Sequence, residues 1–173
     1  MSIELALKFA RVAHSGQTRK YTNEPYIIHP IQVSEWVREY QGSDDMICAA
    51  LLHDVVEDTP VTLETIQTIF GEKIAELVEM LTDVSTPEDG DRAERKAKDL
   101  QHSAKCSADA ATIKIADLIC NSQSICVHDP KFAKIYMKEK RAILNVLRHG
   151  DPRLWAIADQ IVTTYFLNHP EEN

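Results

Sequence analysis

Residues 47–59 read ICAALLHDVVEDT, an apolar run that nevertheless holds His53, Asp54, Glu57 and Asp58. A helix turns about 100° per residue, so His53 and Glu57 share a face, as do Asp54 and Asp58. Leu51, Leu52, Val55 and Val56 occupy the opposite arc, and Ala49 and Ala50 extend the polar stripe with small side chains. A helix this apolar on its back is expected deep in a helical domain. Its polar face then needs a partner, because a buried charge is costly unless paired or bound to metal. Taken alone, the His-Asp pair favours an amphipathic surface helix with a solvated acidic face, since the dipeptide is common by chance.

The neighbouring segments extend the same pattern. Ser43 suits a helix N-cap with Asp44 and Asp45 in its first turn, and Thr59-Pro60 ends the helix that carries residues 46–58. Upstream, residues 3–14 place Leu5, Phe9 and Val12 with Ala6, Ala10 and Ala13 on one broad face. A turn-rich loop follows, and Pro30 opens a helix that stops near Gly42. Downstream, Thr62 caps a short helix ending at Phe70-Gly71, and residues 72–81 form another. Residues 82–91 are the most loop-like stretch. A charged helix covers about 91–103, Ser107 opens the next, and Asp129-Pro130 and Asp151-Pro152 are matched starts for two C-terminal helices. No strand alternation persists, so an all-α single domain of 173 residues is expected.

Nineteen Lys and Arg against 27 Asp and Glu give a net charge of −8, which argues against non-specific binding to nucleic acid or to acidic membranes. No secretory signal and no membrane-length apolar run is read. Cys48, Cys106, Cys120 and Cys126 form no Cys-x-x-Cys pair, which suits reduced thiols in a cytoplasmic protein. The sequence leaves the oligomeric state open.

A second helix tilts the balance toward a site. In TIKIADLICN, residues 112–121, Lys114, Asp117 and Asn121 make a narrow polar stripe on an otherwise apolar helix. Two such helices can line one polar cavity. His29 enters beside a helix start, where an imidazole can be aimed inward. His29, His53, Asp54 and Asp117 together supply two imidazoles and two carboxylates, a set that suits one Mn²⁺, Fe²⁺ or Zn²⁺ ion with positions open for water and substrate.

The segments AHSGQTRKYTNEPYIIHP, AALLHDVVEDT, FGEKIAELVEMLTDVS, ERK and KIADLICN occur in that order. In this ordered series the sequence resembles the HD-domain phosphohydrolases, most closely the (p)ppGpp hydrolase domain of RelA/SpoT-type enzymes and the stand-alone small alarmone hydrolases. The resemblance implies a single HD-domain helical bundle over 1–173, with a motif-bearing core at about 5–125 and C-terminal helices at about 130–167.

It also implies a chemistry. His29, His53, Asp54 and Asp117 match the family's Mn²⁺ ligands, and Glu57 and Asp58 match the pair linked to water activation. Arg19 and Lys20 match substrate contacts of the first loop, and Asn121 matches an asparagine that faces the nucleoside. Lys96, Lys98 and Lys114 are further phosphate candidates. The implied reaction is removal of the 3′-pyrophosphate from a guanosine or adenosine polyphosphate such as ppGpp. That reaction would serve the stringent response, or neutralise a partner synthetase that makes the alarmone. Leu118 stands where the long enzymes usually carry a basic residue, and Tyr21 where a small one is common, so the nucleotide stays open. The alternatives are an HD-fold phosphatase acting on NADPH or a nucleoside monophosphate, a non-catalytic nucleotide-binding module, or an interaction protein with no site. Glu57 and Asp58 weigh against the binding module, which has no use for a water-activating pair.

Overall fold

A computed structural model describes residues 2–172. Among them are ten α-helices and no strand, the sole β feature being an isolated bridge between Thr18 and Pro25. The helices are α1 Ile3–Ala13, α2 Ile28–Glu39, α3 Asp44–Leu52, α4 Val55–Asp58, α5 Leu63–Phe70, α6 Glu72–Leu81, α7 Arg92–Ser103, α8 Ala108–His128, α9 Pro130–Val146 and α10 Pro152–Asn168. The all-α expectation holds. Contacts group the chain into two compact units, one reaching Thr82 and one beginning at Asp83.

In the first unit α3 is the central element, packed by α1, α2 and α6. All of its residues from Met46 to Leu52 are buried, as a helix apolar on every side requires. Full burial of a side chain such as Leu52, Ile66 or Ile74 contributes about 1.5–3 kcal/mol. The start of α3 is fixed by Ser43, whose hydroxyl accepts from the Met46 amide at 3.3 Å.

The structure corrects one expectation here. The helix does not run through to Asp58; it breaks at His53-Asp54 and resumes as the single turn of α4. At the break His53 Nδ1 lies 2.8 Å from the Ala50 carbonyl, so the ring engages an acceptor that a regular helix reserves for a backbone amide. The relation between Asp54 and Asp58 survives, because the Asp58 amide donates to the Asp54 carbonyl at 2.9 Å. The second helix also starts earlier than expected, at Ile28, which puts His29 inside its first turn rather than ahead of it.

In the second unit α8 is flanked by α9 and α10, and α7 lies on α9. Gly150 permits a close approach: a Cβ there would sit 3.0 Å from the Thr112 amide nitrogen and 2.8 Å from Ile115 Cδ1. Residues 82–91 carry no α-helix, as a loop-like stretch should. They contain a 3₁₀ turn, Pro87–Asp89, closed by a capping box between Thr86 and Asp89. Buried Asp99 on α7 anchors the start of the segment, accepting from the amides of Val84 and Ser85 and from the Ser85 hydroxyl.

Candidate metal centre

His29 comes from the first turn of α2, while His53 and Asp54 come from the break after α3. Both imidazoles are buried. Asp54 Oδ2 lies 3.0 Å from His53 Nε2 and 3.5 Å from His29 Nε2. One candidate ligand atom from each of the three residues falls within 4.8 Å of the others.

The chemistry of these donors fits a cation. The Ala50 carbonyl can only accept, so His53 Nδ1 carries the proton of that 2.8 Å bond. Its Nε2 is then left with a lone pair that faces a carboxylate oxygen at 3.0 Å, unless the ring is doubly protonated. Two facing lone-pair donors repel, and a divalent ion between them turns the repulsion into coordination. The carbonyl bond also fixes ring orientation, as is usual for a metal-binding histidine.

Glu57 and Asp58 lie on α4, one turn beyond His53 and Asp54, and both residues are exposed. The Asp58 carboxyl end nevertheless lies against its neighbours. Burial of that end, and then the charge of Asp54, push its pKa above the ordinary carboxylate value against the lowering effect of a hydrogen bond with Tyr26.

The loop from His14 to Tyr26 grips this region. Gln17 Nε2 donates to the Asp58 carbonyl at 2.8 Å, and its Oε1 lies 2.7 Å from His14 Nδ1. The Tyr26 hydroxyl donates to Asp54 Oδ2 at 2.7 Å. Arg19 is half-buried, with its guanidinium carbon 5.9 Å from the Tyr26 ring centroid. Lys20 is exposed and lies over Tyr21 at 5.0 Å.

The other sequence candidates belong to the second unit. Asp117 on α8 accepts from Asn121 Nδ2 at 2.7 Å. Lys114 is largely buried, with Nζ 4.0 Å from Asp83. Lys96 is held by Asp83 at 2.7 Å and by Asp99 at 3.2 Å, and Lys98 by Asp89 at 2.7 Å. The structure therefore gathers three of the four expected ligands in the first unit and puts Asp117 among the residues of the second.

Sequence reasoning missed Gln17, Tyr26 and Lys140. Tyr26 sits inside the quoted PYIIHP segment, but its reach to Asp54 is a tertiary contact with no local signature. Lys140 on α9 has its ammonium 4.8 Å from the Tyr136 ring centroid. Burial pushes its pKa below the usual lysine value, partly offset by the charge of Asp117.

The model of the HD domain family matches residues 6–151. The chain belongs to the HD domain family. Among its HD-domain relatives is the guanosine-3′,5′-bis(diphosphate) 3′-pyrophosphohydrolase of Aquifex aeolicus, 35% identical over 172 residues, 98% of this chain and 24% of the relative. The enzyme of the same name, MESH1, from Xenopus tropicalis is 37% identical over 123 residues, 69% of this chain and 67% of the relative. The chain spans between 18% and 24% of the length of the first few curated relatives. A solved structure of a metazoan ortholog of SpoT, a protein described as hydrolysing ppGpp and acting in starvation responses, superposes with a TM-score of 0.84. It is 29% identical and covers 94% of each chain. Among the described residues no helix is long and apolar enough to cross a membrane.

Proposed function

We propose that this HD domain is a cytoplasmic Mn²⁺-dependent hydrolase that removes the 3′-pyrophosphate of a guanosine or adenosine polyphosphate such as ppGpp. The observation that carries this reading is the His29–His53–Asp54 cluster, its histidines buried and its aspartate half-buried, with two carboxylates, Glu57 and Asp58, one turn beyond it. The names of the relatives support the substrate class. His29, His53 and Asp54 would hold the ion, with Asp117 of the KIAD segment as the fourth ligand. When bound, such an ion polarises a phosphoryl oxygen and lowers the pKa of a bound water.

The chain's own residues do the rest. Glu57 and Asp58 orient the attacking water and accept its proton. The Arg19 guanidinium stacks on the base or forks a phosphate, and Lys20 acts on phosphate as a point charge. Asn121 pairs with the base or ribose. Lys96 and Lys114 are the further phosphate candidates. Lowering of an alarmone, or neutralisation of a synthetase that makes it, would be the cellular outcome.

The test is a panel of nucleotides incubated with the Mn²⁺-loaded protein, including ppGpp, its adenosine counterpart, NADPH and nucleotides with 2′- or 3′-monophosphates. Water cleaves ppGpp to GDP and pyrophosphate if the proposal holds. Release of inorganic phosphate from the monoester compounds, with the 3′-pyrophosphate untouched, contradicts it.

A further inference from the structure

Three groups converge on one oxygen, Asp54 Oδ2: His53 Nε2 at 3.0 Å, His29 Nε2 at 3.5 Å and the Tyr26 hydroxyl at 2.7 Å. The first two are candidate ligands themselves. Tyr26 is of another kind, because its hydroxyl donates a proton to the carboxylate and so fixes where the oxygen lone pairs point.

The tyrosine is itself held firmly. Its ring lies 4.8 Å from the His14 ring and 5.9 Å from the His29 ring, between centroids. Its amide donates to the Gln17 carbonyl at 2.9 Å, and its carbonyl accepts from the His29 amide at 2.9 Å. The same side chain therefore touches two expected ligands and braces the turn that presents His29. The Arg19 guanidinium carbon of the first loop lies 5.9 Å from the same ring centroid. His14 takes part as ring support and as a partner of Gln17.

We propose that Tyr26 is a positioning residue for the metal centre: its hydroxyl holds Asp54 in the ligating orientation and so sets divalent-metal affinity without touching substrate. This rests on the proposed Mn²⁺ site and deepens it. Partners that orient a ligand in this way typically contribute 10–100-fold in metal affinity, because a ligand left to rotate must be ordered when the ion binds.

Tyr26→Phe removes the hydroxyl and keeps the ring between His14 and His29. The full chain, stripped with chelator, is titrated with Mn²⁺ by calorimetry, and its melting is recorded with and without metal. The expected result is a Kd about 10–100-fold weaker than that of the unaltered protein, with circular dichroism and metal-free melting little changed. The readout is metal affinity rather than turnover, because the Tyr26 hydroxyl also hydrogen-bonds Asp58 of the proposed water-activating pair. A second variant, Tyr26→Met, fills much of the same space with no group that can donate to Asp54, and must weaken Mn²⁺ as well. Binding within twofold of the unaltered protein in the Phe variant overturns the inference. Failure of the unaltered protein to bind Mn²⁺ overturns the metal-site proposal on which it rests.

Discussion

Asp54→Asn changes one oxygen to an amide nitrogen and removes a charge at nearly constant volume. The residue is half-buried, and the oxygen concerned serves His29, His53 and Tyr26 together. The metal-free protein loses little, because the amide oxygen still accepts from Tyr26 and only the charge-assisted part of that bond disappears, about 1 kcal/mol. The metal-bound protein loses much more. At a Mn²⁺ concentration 100 times Kd, binding stabilises the native state by about 2.7 kcal/mol. For a domain of this size that raises Tm by roughly 5–11 °C. If the variant binds about 100-fold more weakly, the upper end for an outer partner and a modest figure for a ligand itself, the same Mn²⁺ gives only about 0.4 kcal/mol. The shift then shrinks to about 1–2 °C. The assay is a thermal scan of chelated protein against a Mn²⁺ series. An unaltered Mn²⁺-induced shift in Asp54→Asn refutes the ligand assignment.

Glu57→Gln and Asp58→Asn should retain the full Mn²⁺-induced melting shift while slowing ppGpp turnover by about 10²–10⁴-fold; loss of the shift with an unchanged rate would mark them as ligands. Arg19→Ala should raise KM while Mn²⁺ binding is kept, and Arg19→Lys should be nearly as damaging if the planar guanidinium is what matters; a silent Arg19→Lys makes the loop a solvated surface. The Asp99 network gives a pH dependence. Burial alone would raise the Asp99 pKa, but the Ser85 hydrogen bonds and Lys96 more than offset it, so the folded value is lowered. Its contribution to stability is therefore complete above the ordinary aspartate value, about 3.9, and is lost as pH falls through the lower folded value. Urea midpoints measured through that range should fall with pH, and Asp99→Asn should be less stable near neutrality with a flatter acid limb; an acid limb unchanged in the variant assigns the effect elsewhere.

Much of the helix plan was legible because its punctuation is local. Ser43, Thr62, Ser107, Asp129 and Asp151 all accept from amides of the first turn they precede. The break at His53-Asp54 was not legible, because the apolar pattern runs on through it and the cause is a side chain bonding to its own preceding turn. The convergence of His29 with His53 and Asp54 was legible from residue types and motif order. The Tyr26 hydroxyl was not, since its partner lies 28 residues on. The partners of Lys96 were not legible either. Its charge invites a phosphate, yet its partners Asp83 and Asp99 are brought to it by the packing of the segment before α7.

The central claim is that His29, His53 and Asp54 form a divalent-metal site. It is tested most directly by crystals grown with Mn²⁺ and measured at a wavelength where manganese scatters anomalously. The account predicts one strong anomalous peak per chain, in contact with His29 Nε2, His53 Nε2 and an Asp54 carboxylate oxygen. A peak elsewhere, or none at a Mn²⁺ concentration that saturates activity, would contradict it.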